Sequence, residues 1–185
     1  MRRIDTPIKD LIVFEPDVFG DERGYFMESY NQAKMLELGL DAVFIQDNES
    51  KSKKGVLRGV HFQTKNPQGK LVRCSFGKIW DVAVDLRPES ETFGQWFGIE
   101  LSSDNKKMMY IPPRFGHGFV VLSDEAIFNY KCTQLYDASS DNGIMYNDPN
   151  INIDWPNPGC ELIISDKDLK HETQCDTIVW QEEEY

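Results

Sequence analysis

Short apolar runs rich in Val, Ile, Phe and Tyr, punctuated by Gly, Pro, Asn and Asp, dominate the chain. β-branched and aromatic side chains suit a pleated, half-buried surface, and the punctuating residues suit turns. The pattern predicts strands over Leu11–Glu15, Phe44–Ser50, Gly55–Gln63, Lys70–Phe76, Ile79–Arg87, Gln95–Leu101, Met108–Ile111, Gly118–Leu122 and Ala126–Tyr136. Gly77-Lys78 is a tight turn between two of them. One segment reads as helix: Asn31 is an N-cap, Ala33 to Leu38 are mostly good helix formers, and Gly39 is a natural stop. Many short strands with almost no helix make the class all-β, a sandwich or barrel.

Alternation assigns faces. In Ile79–Arg87, Trp80, Val82, Val84 and Leu86 share one face, with Asp81, Ala83 and Asp85 on the other. In Ala126–Tyr136, Phe128, Tyr130 and Cys132 share a face, while Asn129, Lys131 and Thr133 face away. Tyr130 therefore points with core-like residues into whatever the sheet encloses.

A length of 185 residues suits one domain, with residues 171–185 as a polar C-terminal extension. The hydrophobic fraction of 40%, with 12% aromatics, supports a sizeable core and argues against disorder. With 20 Lys+Arg against 31 Asp+Glu, the formal net charge is −11. So acidic a chain is repelled by nucleic acid and by anionic membrane surfaces, but its charge does not exclude a small cationic pocket.

Cys74, Cys132, Cys160 and Cys175 form no CxxC pair and have no neighbouring His that would make a zinc knuckle. The N-terminus lacks the apolar stretch of a signal peptide, and no apolar run approaches the roughly 18 residues of a membrane helix. The expectation is four free thiols in a reducing cytoplasm.

The densest chemistry lies in Gly55–Gln63 and the following Pro67–Arg73. Arg58, His61, Gln63, Lys70 and Arg73 sit in or beside strands that otherwise look buried, where unpaired charge is expensive. An anion in a pocket would explain the cations, and an imidazole is suited to moving protons near neutral pH. A surface arginine and a hydrogen-bonded structural histidine would fit the same residues. Strict alternation puts Arg58 and His61 on opposite faces, so a joint site requires a bulge, naturally at Gly59.

The run Ile111–Phe119 reads as a rigid loop presenting His117 between two glycines, either to a ligand or as a structural corner. His171, in Lys170-His171-Glu172, reads as solvated. Asp81 and Asp85 read as a polar rim more than as paired acids. A metal-binding β-barrel would carry HxH; here Gln63 replaces the second His, so no metal site is expected.

The runs DERGYFMESYN, FIQDNESKSKKGVLRGVHFQ, PQGKLVRC, DVAVDLRPESETFGQW, IPPRFGHGFVVLS, YKCTQLY, IDWP and ISDKD, in this order, closely resemble the dTDP-4-dehydrorhamnose 3,5-epimerase family. The match covers roughly residues 5 to 170. The resemblance implies a cupin-type jelly roll (a double-stranded β-helix) with few short helices, a homodimer, and no metal or organic cofactor. It implies a dTDP-linked 4-keto-6-deoxyhexose inverted at carbons 3 and 5, in dTDP-L-rhamnose biosynthesis. By the same resemblance His61 is the base, Asp168 the carboxylate that orients it, Tyr130 the acid on the opposite face, and Lys70 the cation near the enolate or phosphates. Arg23 and Arg58 match substrate-contacting positions, and Tyr136 the platform for the thymine ring. Glu28, Gln46, Asp47, Asn48, His117, Asp141 and Lys167 match further binding positions, and the strand bearing Arg23 and Glu28 is expected to complete the neighbouring subunit's site. Relatives that epimerise a single carbon, or isomerise the ketone, share this framework. A non-catalytic sugar- or nucleotide-binding jelly roll would have no need of His61, Tyr130 and Asp168 together.

Overall fold

The computed structural model describes residues 1–171 and 177–181. In chain order the strands are β1 (Arg2–Asp5), β2 (Ile12–Glu15), β3 (Val18–Asp21), β4 (Gly24–Met27), β5 (Gln46–Lys53), β6 (Leu57–Gln63) and β7 (Lys70–Phe76). They continue as β8 (Lys78–Asp85), β9 (Trp96–Ser102), β10 (Met108–Ile111), β11 (Phe115–Val121), β12 (Glu125–Cys132) and β13 (Asp141–Gly143). One helix, α1 (Gln32–Glu37), starts where Asn31 accepts a hydrogen bond from the Lys34 N–H, and a 3-10 turn covers Asp168–Lys170.

The pairings are nested: β5 with β12, β6 with β11, β7 with β10, and β8 with β9, all antiparallel. A long hairpin folded over on itself in this way is a jelly roll, here of the cupin type. One sheet has the order β1-β2-β10-β7-β12-β5 and the other β13-β6-β11-β8-β9. Val72, Cys74, Ile79, Ala83, Phe119 and Phe128 fill the space between them.

The structure decides two placements that the sequence left open and corrects a third. Gly77, at φ +75°, turns the chain from one sheet into the other, so β7 and β8 are consecutive without pairing. The stripe Trp80, Val82, Val84, Leu86 faces away from the inter-sheet core and packs with Val60, Ile144, Ile151, Trp155 and Trp180. The Asp81/Ala83 face therefore points inward, and Asp81 is fully buried. Asp85 is buried as well, accepting from Arg87, Ser90 and Thr92, so neither acid is a rim residue.

Strands β1, β3, β4 and β13 escape the pattern because their residues are polar or their faces exposed. The β3–β4 hairpin joins neither large sheet, and Phe19 and Phe26 on it are 65% and 69% exposed. Residues 178 and 180 pack on the outer face of the second sheet, and the Trp180 Nε1–H donates to the Leu86 carbonyl at 3.2 Å. Cys74, Cys132 and Cys160 are free thiols, whereas Cys175 lies outside the described residues. Among the described residues no helix is long and apolar enough to cross a membrane.

Candidate active site

Strand β6 supplies Arg58 and His61, and a bulge brings them to one side. His61 pairs with His117 and Arg58 with Phe119, so three steps along β6 span two along β11. The extra residue falls at Gly59, whose φ is +127°. A Cβ there would lie 2.5 Å from the Gly118 Cα, which no side chain tolerates. Gly59→Ala should therefore cost about 3 kcal/mol in stability, combining left-handed strain with backbone overlap. The urea midpoint at constant slope measures it.

The two sheets enclose a cavity of about 180 Å³ lined by residues that include Arg58, His61, Lys70, His117, Tyr130 and Tyr136. His61 Nε2 lies 2.8 Å from Asp168 Oδ1. These residues are far apart in the chain; a parallel bridge between Val56 and Ile163 lays the C-terminal segment beside β6 and brings Asp168 under the imidazole. The Gly59 N–H donates to the second Asp168 oxygen at 3.4 Å, and the Asp168 N–H donates to Ser165 Oγ at 3.1 Å. Burial works to raise the Asp168 pKa, but the hydrogen bond and charge of His61 outweigh it and hold the carboxyl below its usual range. An ionised carboxylate only accepts, so His61 carries its proton on Nε2 and keeps Nδ1 as the basic lone pair.

Tyr130 and Lys70 come from the opposite sheet, on β12 and β7, where Cys132 pairs with Lys70 and Tyr130 with Val72. The Tyr130 hydroxyl has no protein hydrogen-bond partner among the described residues, and burial pushes its pKa up, keeping the phenol protonated. Lys70 has no carboxylate within ion-pair distance among the described residues; burial pushes its pKa down, opposed by the more distant carboxylates of Asp141 and Asp81. A desolvated cation without a direct partner favours an anionic ligand.

His117 is not on a loop. It lies within β11, is buried, and approaches the two Asp81 oxygens at 3.1 and 3.0 Å through Nε2. Burial lowers the His117 pKa and raises that of Asp81. The flanking glycines let β11 sit close to its neighbours, since a Cβ on Gly116 would meet Val60 Cγ1 at 2.6 Å. Asp81 is the member of this site that sequence reasoning missed. Its signal was its position between Ile79 and Ala83 on one face of an otherwise apolar strand.

At the rim, the Tyr136 hydroxyl donates to Asp141 Oδ2 at 2.7 Å, and Lys167 pairs with the same carboxylate. Burial raises the Asp141 pKa, but the hydrogen bonds from Lys167 and Tyr136 prevail and lower it overall. Gln46 accepts the Tyr136 N–H at 2.8 Å and donates to Asn48 at 3.1 Å. Gln46 and Asn48 thus support the loop that carries Tyr136. Three residues implied by the family resemblance lie away from the cavity within one chain. Arg23 pairs with Asp21 on the exposed hairpin, Glu28 with Lys34, and Asp47 with Lys131. His171 is not solvated: its ring packs edge-to-face on His61 with centroids 5.5 Å apart.

Gln63 spends its amide on backbone, donating to the Asn66 carbonyl at 3.0 Å and accepting the Asp137 N–H at 3.1 Å, so it is a loop clamp. The one His/Cys/Asp/Glu group among the described residues compact enough to offer metal-binding atoms is His61, Asp168 and His171. Within it, the hydrogen bond between His61 and Asp168 uses the nitrogen and oxygen that an ion would need, so the arrangement fits an acid–base pair better than a ligand set.

A carboxylate-oriented imidazole on one sheet, a protonated phenol on the other and a cation in the same cavity define an acid–base isomerase on a cupin-type jelly roll. Residues 5–176 match the family model described as dTDP-4-dehydrorhamnose 3,5-epimerase. The dTDP-4-dehydrorhamnose 3,5-epimerase of Methanothermobacter thermautotrophicus is 55% identical over 168 residues, covering 90% of this chain and 91% of that protein. That of Salmonella typhimurium is 57% identical over 155 residues, covering 83% and 85%. The crystal structure of a Legionella pneumophila 3,5-epimerase in complex with dTDP-4-keto-L-rhamnose superposes with a TM-score of 0.92 at 47% identity, covering 96% of this chain and 94% of that one. The chain belongs to the dTDP-4-dehydrorhamnose 3,5-epimerase family, and its activity is that of an isomerase.

Proposed function

We propose that the chain converts dTDP-4-dehydro-6-deoxy-D-glucose into dTDP-4-dehydro-L-rhamnose by inverting carbons 3 and 5, a step of dTDP-L-rhamnose biosynthesis. The observation that carries this reading is the His61–Asp168 pair facing the cavity from one sheet while Tyr130 enters it from the other. Both carbons flank the carbon-4 ketone, so loss of either proton gives the same kind of enolate.

His61 Nδ1 takes the proton, the C–H electrons form the enolate, and the negative charge gathers on the carbonyl oxygen near Lys70 and His117. Tyr130 then donates its phenolic proton to the opposite face, inverting the centre. The imidazolium loses its proton and the phenolate regains one before the second carbon reacts, which balances the protons. Every transfer has a side chain to perform it, so the chemistry calls for no metal and no organic cofactor.

Arg58 and Arg23 suit the diphosphate oxygens, and Tyr136 the thymine ring. Gln46, Asn48, Asp141 and Lys167 suit the nucleotide end of the cleft. Arg23, Glu28 and Asp47 serve this role in a homodimer. A two-stranded hairpin with exposed Phe19 and Phe26 is marginal alone and finds its packing on a second copy, carrying Arg23 toward that copy's cleft. The reading places the enzyme in the cytoplasm, with its sugar-nucleotide substrate.

Incubation with dTDP-4-keto-6-deoxyglucose in heavy water tests this. Deuterium is expected at both ring carbons by NMR. Entry at one carbon would make the chain a single-carbon epimerase, and no entry would defeat the catalytic reading. Tyr130→Phe separates the two half-steps: enolate formation persists and deuterium returns from the His61 side with retention, while inversion falls about 100-fold. Stereochemical analysis of the recovered sugar reads both.

A further inference from the structure

His171 lies immediately after the turn that carries Asp168, and its imidazole meets that of His61 at 89° between ring planes. Both of its ring nitrogens are shielded from solvent and have no hydrogen-bond partner among the described residues. It is not among the residues lining the cavity between the sheets. Burying two polar atoms without partners is costly, so what the site gains from this residue comes from the ring itself.

The ring also rests on β13. A Cβ added to Gly143 would lie 2.3 Å from His171 Cε1 and Nδ1. Gly143 in turn pairs with His61 across the sheet. The ring is thus held against the strand that backs the base, and a glycine leaves the room for it.

We propose that His171 is a positioning residue for His61, an uncharged aromatic wedge that seats the imidazole on Asp168 and keeps water from their shared hydrogen bond. The inference rests on the reading of His61 as the base. Proton abstraction is steep in geometry, and an imidazole free to rotate leaves both its carboxylate partner and its alignment with the C–H bond. A charge-assisted hydrogen bond is also stronger where water is excluded. Uncharged His171 adds no positive charge beside the imidazolium formed in the reaction, consistent with burial, foremost, and the nearby His61 lowering its own pKa.

The test compares His171→Ala, His171→Phe and Gly143→Ala in the full chain. His171→Ala should lower kcat about tenfold or more with KM for the sugar nucleotide little changed. The downfield proton NMR signal of the His61 Nε2–H should broaden through exchange with water. His171→Phe keeps the wedge and removes the unpartnered nitrogens, so kcat and the NMR signal should return to within about twofold of wild type. Gly143→Ala occupies the ring's seat and should reproduce the alanine defect, with no further loss when combined with His171→Ala.

An unchanged kcat and NMR signal in His171→Ala would overturn the proposal. So would a phenylalanine variant as impaired as the alanine one, since the nitrogens would then be the working part. The NMR signal reports the wedge whether or not His61 is the base. Survival of deuterium exchange in a His61 variant would refute the base assignment separately.

Discussion

His61→Asn should lower epimerisation roughly 10³-fold while leaving the fold and nucleotide binding close to wild type. The substitution removes the only nitrogen lone pair that the Asp168 contact directs toward the cavity, and an amide is far too weak a base to replace it. The protein should survive the change because His61 is a partly exposed cavity residue and does not belong to the inter-sheet core. Exchange of the substrate's α-protons with heavy water is the decisive measurement, because it reports proton abstraction before any product forms. Binding of dTDP alone, followed by calorimetry, checks that the cleft is intact. Loss of binding in parallel with exchange would mean that His61 holds the ligand more than it moves a proton.

Asp168→Asn should be nearly as damaging, for a different reason. Its carbonyl oxygen takes the place of the oxygen that accepts the Gly59 N–H, which turns the NH₂ toward His61 Nε2. Nε2 must then accept, so the imidazole proton moves to Nδ1 and the cavity-facing nitrogen loses its lone pair. A wrong tautomer of this kind costs about 10⁴-fold in the serine-protease triad, and a loss of 10²–10⁴ is expected here. The substitution also changes acid stability. The Asp168 pKa is lowered in the folded protein, so its interaction stabilises the fold above the unfolded carboxyl's pKa and is lost as pH falls through the folded value. In Asp168→Asn the urea midpoint should fall less between neutral and acidic pH than in wild type. An equal fall would mean that the pair adds nothing to the folded state.

Much of this arrangement is legible in one dimension. The strands β6 to β12 follow largely from β-branched and aromatic runs between turn residues, and α1 from Asn31 and Gly39, whereas the wholly polar β5 starts after the apolar Phe44-Ile45 and runs past the expected end at Ser50. Requiring Arg58 and His61 to share a site led to a bulge at Gly59, and the register shift between β6 and β11 lies there. Inward parity for Tyr130 also holds. The hairpin β3–β4 was not legible, because its apolar residues are exposed and its turn, where the Arg23 N–H donates to Asp21, resembles any solvated loop. His117 was read as a loop residue because glycines on both sides usually signal a turn; here they let a central strand sit close to both its neighbours.

Alternation marks two faces of a strand but does not say which of them meets the other sheet. In β8 the more apolar face packs outward under Ile144, Ile151, Trp155, Ile178 and Trp180, while the face with Asp81 looks inward, where His117 completes the acid's hydrogen bonds. The sequence by itself determined an all-β chain with cations concentrated on two of its strands, and its family resemblance implied the jelly roll and the roles of His61, Tyr130 and Asp168. Only the tertiary structure decided how Asp168 reaches His61, that Asp81 is interior, and that His171 packs on His61. Periodicity is a local property carried by each strand, whereas these contacts join side chains through a parallel bridge, a bulge and a glycine's missing Cβ, none of which leaves a periodic trace.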